Sequence, residues 1–267
     1  GGAGVEAEIV LASAVDRAEL EEFFAERLNW RREIGWDEGA GRLIAREVRG
    51  IGAMVLQERP AAIPDEEALP VLFELLRREG LGLLGWTPEA ARLRERLAFL
   101  HGALAADGWP DVGDGALLER LDDWLRPWLA GVRSRADLAR LDLCAILRSW
   151  LGGRGRELER LAPERLVVPS GSAVRLDYVA EGGPVLAAKL QELFGLADTP
   201  RVAGGRVPVL IHLLSPAGRP LAVTRDLRSF WDGVYPEVRK EMRGRYPKHP
   251  WPDDPWTAPA TRRTRGR

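Results

Sequence analysis

"VPVLIHLLSPAGRPLAVTRD", Val207 to Asp226, is where the pattern for the C-terminal third of the chain is clearest. Val209, Ile211 and Leu213 alternate with Leu210, His212 and Leu214, a period of two that puts apolar side chains on one face of a strand. Ser215-Pro216-Ala217-Gly218 follows, with proline and glycine where a type I turn takes them. Leu221 to Val223 is expected to return as the hairpin partner. Upstream, Val174, Leu176 and Tyr178 alternate with Arg175, Asp177 and Val179 as another strand. Between the two, Pro184 to Phe194 reads as a short helix closed by Gly195. Downstream, helical pieces over Asp226 to Val234 and Glu237 to Arg243 lead into "RYPKHPWPDDP", Arg245 to Pro255, whose four prolines forbid a helix.

Towards the N-terminus the period changes. Pro64 to Leu161 carries helical signals. Asp65 caps a helix with Leu69, Leu72, Phe73, Leu75 and Leu76, stopped at Gly80. Thr87-Pro88-Glu89 is a cap, a first-turn proline and a first-turn acid. A third helix carries Leu117 to Leu125 and ends or kinks at Pro127. Ser134 and Asp137 open a fourth, running through Leu138, Leu141, Ile146, Leu147 and Trp150. Before this region, Ile9 to Leu11 suggests a short strand, and Asp16 with Glu19 a capping box. Trp30 to Trp36, Leu43 to Val48 and Ile51 to Leu56 then read as a β-meander. The expected class is α+β: a central helical domain flanked by two β-rich segments. The C-terminal one is expected as a small barrel-like sheet, OB-like by one reading, with short helices. The boundaries are 1–63, 64–162, 163–256 and a disordered basic tail over 257–267. The pattern is compatible with two separate β parts or with one barrel interrupted by the helices.

The 267 residues are 45% hydrophobic and 30% charged, a globular composition. Cys144 is the single cysteine, so neither an intrachain disulfide nor a cysteine cage for a metal can form. No run of about 18 apolar residues occurs, and a cytoplasmic protein with no membrane partner is expected. Gly1 to Gly4 reads as a junction, which suggests a piece of a longer protein. There is no Gly-Lys dipeptide, and hence no phosphate-binding P-loop. G-x-S-x-G is absent, and His101, His212 and His249 lack metal-ligand spacing. His101, His212 and Cys144 read as structural residues, Asp122-Asp123 and Asp253-Asp254 as solvated faces. Gly204-Gly205 offers bare amides to an anion or, more simply, a turn. No catalytic residue, metal ligand or bound cofactor is expected in this polypeptide by itself.

Charge is unevenly spread. Residues 239–267 hold nine cations against three acids, net +6, while the whole chain is −1 and the remaining 238 residues carry −7. Tyr246, Trp251 and Trp256 are interleaved with these cations. Bases stack on aromatic faces for roughly 1–3 kcal/mol each while Arg and Lys take phosphates, a combination suited to single strands bound without sequence preference. The competing role is a clasp, in which Tyr246 and Trp251 pin the ribbon onto the β-domain and Asp253-Asp254 pair with arginines.

"GRPLAVTRDLRSFWDGVYPEVRKEMRGRYPKHPWPDDP", Gly218 to Pro255, resembles the C-terminal signature of the bacterial HrpB helicases. So do "VPSGSAVRLDYV" (Val168 to Val179), "LQELFGLADTPRVAGGRVPVLIHLLSPAGRP" (Leu190 to Pro220) and "DGWPDVGDGALLERLDDWLRPWLAGVRS" (Asp107 to Ser134). The likeness spans nearly the whole chain and is looser over Val5 to Pro60. It implies a parent of the DEAH/RHA type, an ATP-dependent and RNA-directed helicase of superfamily two. The parent's motor uses ATP and Mg, and none of its motifs occurs here. With the basic C-terminal end, the resemblance implies an accessory surface guiding single-stranded RNA or DNA beside the motor domains. The candidate contacts are Arg175, Arg206, Arg219, Arg225, Lys240, Arg243, Arg245, Tyr246, Lys248 and Trp251. Ten tryptophans and two P-x-x-P stretches leave a protein-docking module as an alternative. A structural cap that stabilises the motor is another.

Overall fold

The computed structural model describes residues 16–263, so the strand expected at Ile9 to Leu11 lies outside the described residues. The chain divides into two compact units. One comprises the residues through Glu79 together with Leu129–Leu138; the other comprises Gly80–Trp128 and the chain from Ala139 onward.

In the first unit, Asp16 accepts the Ala18 amide at 2.9 Å and opens α1 (Arg17–Phe23). The expected meander follows as β1 (Asn29–Asp37), β2 (Arg42–Ile51) and β3 (Met54–Pro60), antiparallel in the order β1-β2-β3. The β2–β3 register slips between Arg49 and Gly50. A Cβ on Gly50 would lie 1.9 Å from the Met54 carbonyl oxygen, so only glycine lets the strands close there. α2 (Asp65–Glu79) packs on β1 and buries Leu69, Leu72, Phe73, Leu75 and Leu76, as its spacing predicts. The segment 129–138, remote in sequence, returns to this unit. The Leu43 amide donates to the Arg133 carbonyl at 2.7 Å, Arg42 bridges Ser134, and Asp65 accepts from the Gly131 amide and from Arg133. α2 thus groups with the first sheet, where the sequence places it in the helical region.

The second unit begins with α3 (Pro88–Ala103), whose cap Thr87 accepts the Ala90 amide at 3.2 Å. α4 (Asp114–Glu119) and α5 (Leu121–Trp124) together cover the expected third helix. The expected fourth is broken: α6 (Arg135–Ala139), which falls in the first unit up to Leu138, stops, and Asp142 caps a separate α7 (Leu143–Trp150) by accepting the Ala145 amide. A carboxylate that begins a helix so well does not sit easily inside one. α8 (Gly155–Leu161) then leads to the strands β4 (Arg165–Val167) and β5 (Ala173–Asp177).

The expected helix over Pro184 to Phe194 is instead β6 (Val185–Lys189), followed by a single 3-10 turn over Leu190–Glu192. Leu, Ala, Lys and Gln favour helix locally. Here Val185, Leu186 and Ala188 are buried and the segment pairs on both sides, so the sheet overrides propensity. A short hairpin, β7 (Arg201–Val202) with β8 (Val207–Pro208), precedes β9 (Leu210–Leu214) and β10 (Pro220–Thr224). β9 and β10 form the expected antiparallel hairpin, and β9 runs parallel to β6. The sheet order is β10-β9-β6-β5-β4. Its outer strands do not pair with each other, so the architecture is α+β with no closed barrel among the described residues, and the barrel-like expectation is corrected to an open sheet. The parallel β6–β9 join sets one hairpin on each side and leaves both edges apart.

α9 (Leu227–Ser229), a wide π turn over Phe230–Val234 and α10 (Tyr235–Arg245) follow without a break. They lay Leu227, Phe230, Trp231, Tyr235 and Met242 onto one core with Leu186, Ile211 and Leu213. The tail is also corrected where it is described. Ala258 and Ala260 pack on that core, and Thr261 exchanges hydrogen bonds with Gln191. Residues 264–267 lie outside the described residues. No helix among the described residues is long and apolar enough to cross a membrane.

Candidate nucleic-acid interface

The proline ribbon is a clasp. Trp251 is only 6% exposed and its indole N–H donates to the Tyr246 carbonyl at 2.9 Å. The Tyr235 hydroxyl donates to the Pro252 carbonyl at 2.9 Å, and the Gly195 amide to the Pro255 carbonyl at 2.9 Å. Arg239 donates to the Trp251 carbonyl and pairs with Asp253. His249 Nδ1 lies 2.7 Å from the amide oxygen of the buried Gln191, whose own amide donates to Thr261. Tyr246 is half-buried on the core, its ring edge-on to His249. Burial, then the Lys189 ammonium, holds the His249 pKa below the ordinary histidine value, and burial pushes the Tyr235 phenol up. Trp256 is half-buried, with the Arg228 guanidinium 5.9 Å from its ring.

Of the ten candidate residues, six fall on α10 and the ribbon: Lys240, Arg243, Arg245, Tyr246, Lys248 and Trp251. Lys240 and Arg243 line a groove with Pro236, Arg239 and Gly244; Arg243 also borders a polar cleft with Pro247, His249 and Asp253. Arg245 faces Glu241 at 3.8 Å. The other four have separate surroundings. Arg175 on β5 faces Glu164 at 3.5 Å, in a cavity of about 280 Å³ shared with Arg92, Arg96 and Tyr178. Arg206, in the β7–β8 turn, lies 3.8 Å from Asp107. Arg225 donates to the Gly182 carbonyl, and Arg219 sits exposed in the β9–β10 turn. The Gly204-Gly205 segment is a plain turn, since the Ala203, Gly205 and Arg206 amides all donate to backbone carbonyls.

The remaining singled-out groups hold structure. His101 Nδ1 lies 2.9 Å from the Trp109 carbonyl oxygen, and burial raises the pKa of the Cys144 thiol. Asp123 pairs with Arg120, Asp122 with Arg126, and Asp254 accepts from the Trp256 amide. Sequence reasoning missed Gln191 and Arg239 as anchors of the ribbon. Gln191 lies 58 residues from its partner His249, and no local pattern marks it.

Two family models match the chain. "ATP-dependent helicase C-terminal" covers residues 124–255, and "ATP-dependent RNA helicase HrpB, connector region" covers residues 27–61. The chain belongs to the HrpB helicase family. It corresponds to that family's C-terminal region, without the motor domains. It is 42% identical over 267 residues to the ATP-dependent RNA helicase HrpB of Escherichia coli (strain K12), covering 99% of this chain and 33% of that protein. It therefore spans a third of the length of the curated relative it matches. The crystal structure of the E. coli DExH-box NTPase HrpB superimposes with a TM-score of 0.73 over 99% of this chain and 33% of that one, at 42% identity. A second crystal structure, of the Escherichia coli DEAH/RHA helicase HrpB, gives 0.63 over 84% of this chain and 29% of that one, at 40% identity. No Gly-Lys dipeptide of a phosphate-binding loop occurs in the sequence, and among the described residues no group of three or more His, Cys, Asp or Glu side chains is placed to hold a metal ion.

Proposed function

We propose that this chain is a non-catalytic accessory region of an ATP-dependent RNA helicase, guiding single-stranded nucleic acid next to the motor. ATP and Mg act in the parent's motor domains, which are this region's partner in the same protein, and the parent works in the cytoplasm. One observation carries the reading. On α10 and the ribbon, Lys240, Arg243 and Lys248 have no acid partner among the described residues, while the scaffold under them is pinned by Trp251, Tyr235 and Arg239. Cations left unpaired on a fixed surface are available to phosphates, and little entropy is lost on binding. The test titrates labelled single-stranded RNA against the chain at 50 and 200 mM salt. Binding that weakens with salt is expected; no detectable binding at 50 mM salt overturns the proposal.

A protein-docking reading has its own support in a surface cleft lined by Trp124, Pro127, Trp128 and Trp150, with Trp128 40% exposed. Pull-downs with and without this region check it. A partner recovered only when the region is present and lost on Trp128→Glu is expected; identical recoveries remove the reading.

A further inference from the structure

We infer that the α10 surface holds the sugar–phosphate backbone alone and leaves the bases unread, so that it takes single strands of RNA and DNA alike. The inference rests on the proposed guiding role and narrows it.

The helix has two faces. Tyr235 and Met242 are buried and Val238 half-buried, one turn apart, against the sheet core. Lys240 and Arg243, three residues apart, are exposed and border one groove. Lys248 adds a third cation from the ribbon just past the helix end. Of the neighbouring cations, Arg239 is taken by Asp253 and the Trp251 carbonyl, and Arg245 faces Glu241 at 3.8 Å.

Reading a base needs an open aromatic face for stacking or polar groups aimed at base edges. The aromatics interleaved with these cations offer neither. Trp251 is in the core with its N–H engaged. Tyr246 is packed on the core and meets His249. Trp256 is packed on the same core and has Arg228 beside its ring. His249 and Asp253, the polar groups of the adjoining cleft, are taken by Gln191 and Arg239. What remains is three point or forked cations, the chemistry of phosphate contact. Each phosphate neutralised on a single strand contributes about 0.7 to the salt slope, so three contacts predict a slope of about −2, or a loss of roughly twentyfold in affinity between 50 and 200 mM salt.

Fluorescence anisotropy on the 267-residue chain tests this with four labelled strands of equal length: uridine RNA, adenosine RNA, thymidine DNA, and an abasic strand that keeps the backbone and lacks bases. The expected result is affinities within about threefold of one another, and a salt slope that falls by about 0.7 with each of Lys240→Ala, Arg243→Ala and Lys248→Ala. An abasic strand binding more than about tenfold weaker than uridine RNA overturns the inference and leaves the guiding role standing. A slope unchanged in all three variants also overturns it, placing the contact elsewhere on the chain. Absence of binding by every strand defeats the guiding role itself. The abasic comparison needs no variant, so it holds whatever the substitutions do to folding.

Discussion

The two larger sheets are built on different physics. The three-stranded meander of the first unit wears its charges as ladders: Arg46 lies between Glu33 at 3.1 Å and Glu58 at 3.0 Å, and Glu47 between Arg59 at 2.7 Å and Arg32 at 3.6 Å. The five-stranded sheet of the second unit has an apolar centre, with Leu186, Ile211 and Leu213 fully buried under Phe230, Trp231 and Tyr235. Exposed ion pairs gain little in water because solvent and salt screen them, whereas buried side chains carry transfer and packing energy. The second sheet should therefore tolerate change at its centre far less than the first tolerates change in its ladders.

The sharpest way to break that contrast is Leu186→Ala on β6. It should cost about 2–5 kcal/mol in urea unfolding, since the buried strand cannot collapse around the hole. A cost below about 1 kcal/mol would mean that β6 is not central. Trp251→Ala should cost about 3 kcal/mol, nearer the low end for an aromatic truncation because the ribbon lies at the rim of the core. It should also open the ribbon to proteolysis. Gly50→Ala probes a place where the meander's backbone is unforgiving: the added methyl meets the Met54 carbonyl, and about 2 kcal/mol of strain or a local loss of β3 pairing is expected, read by unfolding and amide exchange. Arg46→Ala should move the unfolding midpoint hardly at all. Its trace should appear in acid, because Arg31 first, and then Arg46, hold the Glu33 carboxyl below its ordinary value of 4.5. A lowered native pKa contributes stability that is complete above 4.5 and lost as pH falls through the native value, so the variant should lose part of that acid dependence. The smallest effect belongs to His249. Its native pKa lies below 6.5, so its contribution is complete above pH 6.5 and fades as pH falls through the native value; His249→Gln should flatten that stretch of the stability curve.

The legibility of these regions follows from how local their causes are. The meander, α2 and α3 were readable because strand alternation, helical spacing, the Thr87 cap and Gly80 act within a few residues, whereas the Asp65 carboxylate, expected as a cap, is taken instead by the Gly131 amide and Arg133. The β9–β10 hairpin was readable because its turn chemistry lies in four consecutive residues. β6 was not, because its Leu-Ala-Ala-Lys run prefers helix until strands flank it on both sides. The fourth helix was read through Asp142, whose capping role shows only once the chain has turned there. At the candidate interface, the charge asymmetry was visible as composition. The inward commitment of Trp251 was legible only as the more common fate of a tryptophan, because the ribbon's sequence also admits a stacking platform.

By itself, the sequence determined the α+β class, most element positions, the cationic C-terminal end and the likeness to HrpB, since each is written in neighbouring residues or in ordered motifs. Only the tertiary structure decided that the sheet stays open, that 129–138 returns to the first sheet, and that four of the ten candidate residues stand apart from α10. Those outcomes depend on contacts between residues tens of positions apart, such as Leu43 with Arg133 and Gln191 with His249. The energy of such contacts exists only once the chain has closed on itself.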